Sequence, residues 1–167
     1  MATSPSTTET ATGPAGAGPP TAGEGALVQE AVQSLAARWY QALDRHDDVE
    51  SVLEFLVDDG LEMRFPETTS RGHKGFRDWY AAVTHRFFDE VHTLGEVSLT
   101  TVGVDGAEVK VVVNWQARIW NPPAAKSQWL GFDAYQTWTV VTGPASALQI
   151  KTYVVDDLKP MPGSASL

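Results

Sequence analysis

The stretch Val109 to Trp120 constrains this chain more than any other. It is long, β-branched and aromatic, which are the properties of a central strand rather than a helix. One phase is Val109, Val111, Val113, Trp115, Ala117 and Ile119, apolar throughout. The other is Lys110, Val112, Asn114, Gln116, Arg118 and Trp120, and it is mixed. Side chains on a strand alternate between faces, so one side must pack on a core while the other meets a wetter environment. The remaining elements are then those that pair with this strand or cover it.

Order begins near Ala26. Val28, Val32, Leu35, Trp39 and Leu43 recur every three or four residues, the stripe of an amphipathic helix, with Tyr40 beside it. Asp47 followed by Glu50 reads as a capping box for a short second helix burying Val49, Val52, Leu53 and Leu56. Leu61 to Phe65 reads as a short strand stopped by Pro66. The turn Arg71 to Gly75 then leads into a third helix with a stripe of Phe76, Trp79 or Tyr80, Val83 and Phe87. Four strands follow, near 91–102, 107–120, 127–142 and 148–156, the first two joined by the hairpin signal Asp105-Gly106. Helices first and antiparallel strands after indicate an α+β fold, helices laid on a strongly curved sheet. Residues 1–25 are rich in Thr, Ser, Pro, Ala and Gly and are expected to be a disordered leader. The domain is expected over 26–158, and 159–167 to be a fraying tail.

Composition narrows function by exclusion. The 167 residues include 43% hydrophobic ones, enough for one domain with a real core. The formal net charge is -9, and such an acidic chain suits neither nucleic acid nor an anionic membrane as partner. There are no cysteines, so disulfides and thiolate chemistry are excluded. No apolar run reaches the roughly 18 residues of a membrane span. The N-terminus lacks the basic and apolar regions of a secretory signal, so a soluble cytoplasmic protein is the expectation.

Several segments together resemble the NTF2-like superfamily, in particular its SnoaL-like polyketide cyclase and steroid-isomerase-related branch. They are Tyr40 to Asp44 with Asp47 to Asp59, Gly72-His73-Lys74-Gly75 with Phe76 to Trp79, Pro122-Pro123 with Gly131-Phe132-Asp133, and Ile150 to Asp156. The resemblance covers roughly residues 27–158. It implies a cone of three helices on a curved sheet enclosing an apolar pocket, and a homodimer formed through the convex sheet face. It also implies acid–base cyclase or isomerase chemistry on a small hydrophobic, polyketide-like molecule, with no cofactor and no metal. Other members of the superfamily only bind ligands or partners.

By that resemblance Asp133 is the candidate general acid–base group, because a carboxylate in an apolar pocket has its pKa raised toward neutrality. Its strand phase argues otherwise: Phe132, Ala134, Trp138 and Val140 are the apolar set, which puts Asp133, Tyr135 and Thr137 outside. Asp133 inside a closed cavity favours an enzyme, and on the outer sheet face it favours a binding module. Tyr40 and Asn114 are candidates for orienting a substrate oxygen. Trp79, Trp115, Trp120, Tyr135 and His85 are candidates for lining a pocket that holds a flat ligand. His85 falls off the stripe of its helix, and His92 reads as an edge-strand residue. His46 and His73 fall in turns. Two departures from the resemblance stand out. Phe65 precedes Pro66 where the ketosteroid isomerases carry their base. Trp120 and Asn121 stand before the Pro-Pro turn, where many cyclases carry a histidine.

Overall fold

A computed structural model describes residues 27–167; the leader expected over 1–25 lies outside them. The first helix, α1 (Gln29–Asp44), buries Val32, Leu35, Ala36, Trp39, Tyr40, Ala42 and Leu43, the stripe its spacing foretells. It ends in a Schellman cap. The amides of His46 and Asp47 donate to the carbonyls of Leu43 and Ala42 at 3.0 and 3.1 Å, and His46 takes φ 51° where glycine is usual. The next helix, α2 (Val49–Leu53), is capped by Asp48, whose side chain accepts from the Glu50 amide at 3.1 Å. The cap thus falls one residue later than expected, because Asp47 is engaged by Arg45 at 2.7 Å.

Two short strands, β1 (Glu62–Arg64) and β2 (Thr69–Arg71), form a hairpin around Phe65 to Thr68. Then come α3 (Gly72–Arg86) and four long strands, β3 (Phe88–Gly103), β4 (Gly106–Ile119), β5 (Gln128–Thr142) and β6 (Leu148–Pro160). The sheet runs β2-β1-β6-β5-β4-β3, antiparallel at every pair except β1 with β6. It is a six-stranded, mostly antiparallel sheet bent around the three helices, with β2 and β3 as free edges rather than a closed barrel. Irregular register at Phe88/Val91, Leu94/Glu96 and Leu99/Thr101 in β3, and at two places between β5 and β6, bends the strands.

The central strand behaves as its alternation demands. Val109, Val111, Val113, Ala117 and Ile119 are buried, whereas Lys110, Arg118 and Trp120 are exposed. Each buried valine contributes about 1.5–3 kcal/mol relative to exposure. The main core joins these valines to Leu35, Trp39, Phe76, Trp138 and Ile150. A second cluster of Phe87, Ala117, Ile119, Leu130 and Phe132 sits at the far end of β4 and β5. The segment 159–167, expected to fray, is instead tied to β5. Lys159 and Pro160 continue β6, Met161 and Ala165 donate to the Gly131 and Trp129 carbonyls at 2.8 and 2.9 Å, and Ser164 Oγ accepts from the Gly131 amide at 3.0 Å.

Candidate active site

Between the two clusters, the inner sheet face and α3 enclose a cavity of about 360 Å³. Its walls are mainly apolar. Trp79 stacks on Phe65 at 4.9 Å on one side, and Trp115 stacks on Phe132 at 6.0 Å on the other. Into this apolar space project a few polar groups, notably Glu90, His92, Gln136 and Tyr153.

His92 is the best-positioned of these. Its Nδ1 lies 2.6 Å from Asp44 Oδ1, and its backbone amide donates to Asp44 Oδ2 at 3.0 Å. The carboxylate therefore holds both the ring and the strand that carries it. The ring is sandwiched, stacked on Tyr40 at 4.7 Å and beside Trp115 at 6.3 Å. Its side chain is 10% exposed and that of Asp44 24%. With Nδ1 engaged by an acceptor, the neutral ring carries its proton there, and Nε2 becomes the basic nitrogen. Nε2 has no protein partner among the described residues.

Glu90 lies two residues earlier on the same strand face. Its Oε1 is 2.7 Å from His46 Nε2, and its Oε2 accepts from Trp115 Nε1 at 2.9 Å. The deepest polar group is Gln136, buried in the sheet. Its Oε1 accepts from the Tyr40 hydroxyl at 2.7 Å and from Trp138 Nε1 at 2.8 Å, and its Nε2 donates to the Tyr153 hydroxyl oxygen at 3.0 Å. Tyr40 has thus spent its proton on Gln136. The Tyr153 hydroxyl hydrogen is left to turn either to Tyr40, 3.2 Å away, or to an oxygen in the cavity. Burial pushes the Tyr40 phenol well above its ordinary pKa, assisted by Tyr153, and burial likewise raises Tyr153, so both are neutral donors rather than phenolates.

The residues singled out from the sequence separate into two groups. Trp79 and Trp115 line the cavity, and Tyr40 lies buried behind His92. Asp133 and Asn114 do not line the cavity. They face each other across β4 and β5 on the outer side, Asn114 Nδ2 donating to Asp133 Oδ1 at 2.8 Å and the Asn114 amide oxygen accepting from Gln116. Tyr135 is exposed on that same face under the Lys159 ammonium. Trp120 is half-exposed beyond the end of β4, and His85 is exposed on α3.

Comparison with known proteins accords with this fold. The model of the SnoaL-like domain matches residues 25–151. The chain belongs to the SnoaL-like domain family. Its fold recurs in a type 2 hexachlorocyclohexane dehydrochlorinase, 15% identical with a TM-score of 0.65, covering 83% of this chain and 91% of that one. A ketosteroid isomerase-like protein from Erwinia carotovora atroseptica is 16% identical with a TM-score of 0.59, covering 80% and 95%. An epoxide hydrolase/cyclase-like enzyme of pyran ring formation in the polyether salinomycin is 14% identical with a TM-score of 0.56, again covering 80% and 95%. No curated protein matches the chain in sequence. Within this SnoaL-like domain no group of three or more His, Asp or Glu side chains converges to hold a metal among the described residues. Nor is any described helix long and apolar enough to cross a membrane.

Sequence reasoning passed over Asp44 and Glu90, and it set His92 aside as an edge-strand residue. One signal for them was present. Asp44 stands four residues after Tyr40 and so shares its helix face, and Glu90 and His92 share a strand phase with Leu94. The edge reading of His92 agrees with the topology, since β3 ends the sheet; its side chain nevertheless turns inward.

Proposed function

We propose that this SnoaL-like domain is an enzyme of acid–base chemistry on a small hydrophobic molecule, with His92 as the proton-transfer group and Asp44 as the residue that orients it. The observation that carries the reading is the Asp44–His92 pair at 2.6 Å with its free nitrogen on an apolar cavity. A carboxylate behind an imidazole fixes the tautomer and stabilises the cation formed when Nε2 accepts a proton. The low-dielectric wall makes both effects larger than in water. Tyr153 supplies the complementary group: its hydroxyl turns from Tyr40 to a substrate oxygen on which negative charge develops, as in enolate formation. Isomerisation, cyclisation and elimination all begin with such a proton abstraction. The cavity, about 360 Å³, lies at the small end of the range for ligand sites, which favours one or two rings over an extended polycycle.

By the criterion of where Asp133 lies, its outer position favours a binding module. The Asp44–His92 pair restores the enzyme reading with a different residue. The outer face is the proposed homodimer contact, on the strength of Trp129, Tyr135, Val112 and Val154, whose register places them on that face with the Asn114–Asp133 pair.

The test uses 5-nitrobenzisoxazole, a flat apolar probe whose ring opens when a base removes its C–H proton. His92→Gln should lower turnover by about 100-fold or more while the protein remains folded by circular dichroism. Retained turnover in that variant removes His92 as the base. Tight binding of the probe with no turnover in the unmodified protein turns the reading to a ligand-binding module.

A further inference from the structure

Four non-glycine residues of the described chain have positive φ: His46, Asp89, Ala145 and Ser146. The last two form one exposed turn before β6. The first two converge on a single side chain, Glu90. His46, at φ 51°, occupies the glycine position of the α1 cap and places its ring on Glu90. Asp89, at φ 49°, sits in the register irregularity between Phe88 and Val91, which turns Glu90 inward to the cavity. An L-residue in this region costs backbone energy that the surrounding structure must outweigh, and such costs gather at functional positions. Two of them are spent on aiming one carboxyl group and its histidine partner.

The surroundings suit a proton-carrying role. The Glu90 side chain is 9% exposed and that of His46 30%, so the pair leads from the cavity wall to solvent. His46 Nε2 faces Glu90, while Nδ1 has no protein partner among the described residues. The charged and titratable groups around the pair are Asp44 at the end of α1, Asp47 in the turn after it, Tyr80 on α3 and His92 on β3. Asp47 is held by Arg45. Tyr80 donates to the Asp47 carbonyl at 2.6 Å and is pushed up to about 12 by burial first, then by Asp47, Glu90 and Asp48. Glu90 and His92, two residues apart on one strand face, stand roughly 7 Å apart along the backbone, room for a substrate to touch both.

We propose that Glu90 is a second catalytic residue, a general acid that shares one proton with His46, and that His46 relays replacement protons from solvent. This rests on the assignment of His92 as base. The substrate class it implies is one that loses an oxygen leaving group too poor to depart unprotonated. His92 Nε2 takes a proton from carbon, and the C–H electron pair becomes the new π bond. The bond from the neighbouring atom to the leaving oxygen breaks, and Glu90 passes its proton to that oxygen. The ionised Glu90 and the neutral His46 then regain their one shared proton from solvent, which reaches the pair on the exposed His46 side, while His92 releases the proton taken from carbon to solvent.

Two probes isolate the acid from the base. In 5-nitrobenzisoxazole the leaving oxygen departs as a stabilised nitrophenolate and needs no acid; in unsubstituted 1,2-benzisoxazole it is a poorer leaving group. Glu90→Gln should lower turnover of the unsubstituted probe about 100-fold more than that of the nitro probe. His92→Gln should abolish both. His46→Gly restores the residue preferred at the cap, so its melting temperature should not fall, yet it should lose turnover selectively on the unsubstituted probe. Equal losses on the two probes in Glu90→Gln, or none, overturn the acid assignment whatever His92→Gln does. Loss confined to Glu90→Gln, with His92→Gln active, overturns the base assignment instead. Independently of turnover, the imidazole nitrogen NMR shifts of His46 should change in Glu90→Gln, and identical shifts overturn the shared proton.

Discussion

The two faces of β4 and β5 are made from the same strands, and they differ in what their polar groups are for. On the inner face, polar atoms are few and each is bound to specific partners: Gln136 takes Tyr40, Trp138 and Tyr153, and His92 takes Asp44. On the outer face, Lys110, Thr137 and Asp156 form one chain of contacts at 2.7 and 2.6 Å, and Gln116, Asn114 and Asp133 form another. Both sides have carboxylates and amides, the inner ones being Asp44 of α1, Glu90 of β3 and Gln136 of β5. Only the inner one combines them with an apolar cavity and with nitrogen and oxygen atoms left unpaired toward it. A buried polar group without such partners would cost more than the fold can spare, so the inner groups can be positioned for chemistry only because their other atoms are satisfied.

The largest effect that tests this difference is on stability. Trp138 is fully buried, stacks on Tyr153 at 5.3 Å and donates to Gln136. Trp138→Ala should cost about 3–5 kcal/mol in denaturant unfolding. The neighbouring outer residue Thr137, changed to Ala, should cost about 0.5 kcal/mol or less. Comparable losses at the two positions would mean that the faces are not distinguished by burial as described.

The second test is alkaline. Tyr40, Tyr80 and Tyr153, three of the four tyrosines, have folded pKa values raised above the ordinary value of 10.0, Tyr80 to about 12. Above pH 10 the unfolded chain releases phenolic protons that the folded chain still holds, so unfolding is favoured as pH rises. Stability is therefore full below about pH 10 and falls between pH 10 and 12, by about 1.4 kcal/mol per pH unit for each fully buried phenol in its window. Melting temperatures at pH 9 and 11, with tyrosinate absorbance followed in parallel, read this directly. All four tyrosines ionising near pH 10 in a protein that stays folded would show that the helix-covered side is open to solvent.

How much of this was legible in the sequence follows from the range of the interactions involved. The alternation of Val109 to Ile119 and the stripe from Val32 to Leu43 are local signals, and they fix the central strand, the first helix and the layer order. The strand β2 carries only Thr69, Ser70 and Arg71, too short and too polar to announce itself. Beyond the phase that Glu90 and His92 share with Leu94, irregular register on either side obscures them, so the outward positions of Phe88 and Glu96 say nothing about their direction. Their partners Asp44 and His46 are more than forty residues away in the chain, and no local pattern links them. For Asp133 the local signal was the better guide. The apolar phase of Phe132, Ala134 and Trp138 already placed it outside, where a matched motif position suggested a site.

The smallest expected effect is accordingly the most pointed. Asp133→Asn leaves the contact with Asn114 able to re-form as an amide–amide hydrogen bond, on a face away from the cavity. Turnover of 5-nitrobenzisoxazole should be unchanged, while His92→Gln in the same assay loses most of it. If the outer face joins two copies of the chain, the effect of Asp133→Asn belongs to association: sedimentation velocity across a range of concentrations should show a shifted monomer–dimer balance. A large loss of turnover with unaltered association would put the reacting group on the outer face. The division between a chemical and an assembling side of this sheet would then fail, because Asp133 is hydrogen-bonded to Asn114 away from the apolar cavity that His92 faces.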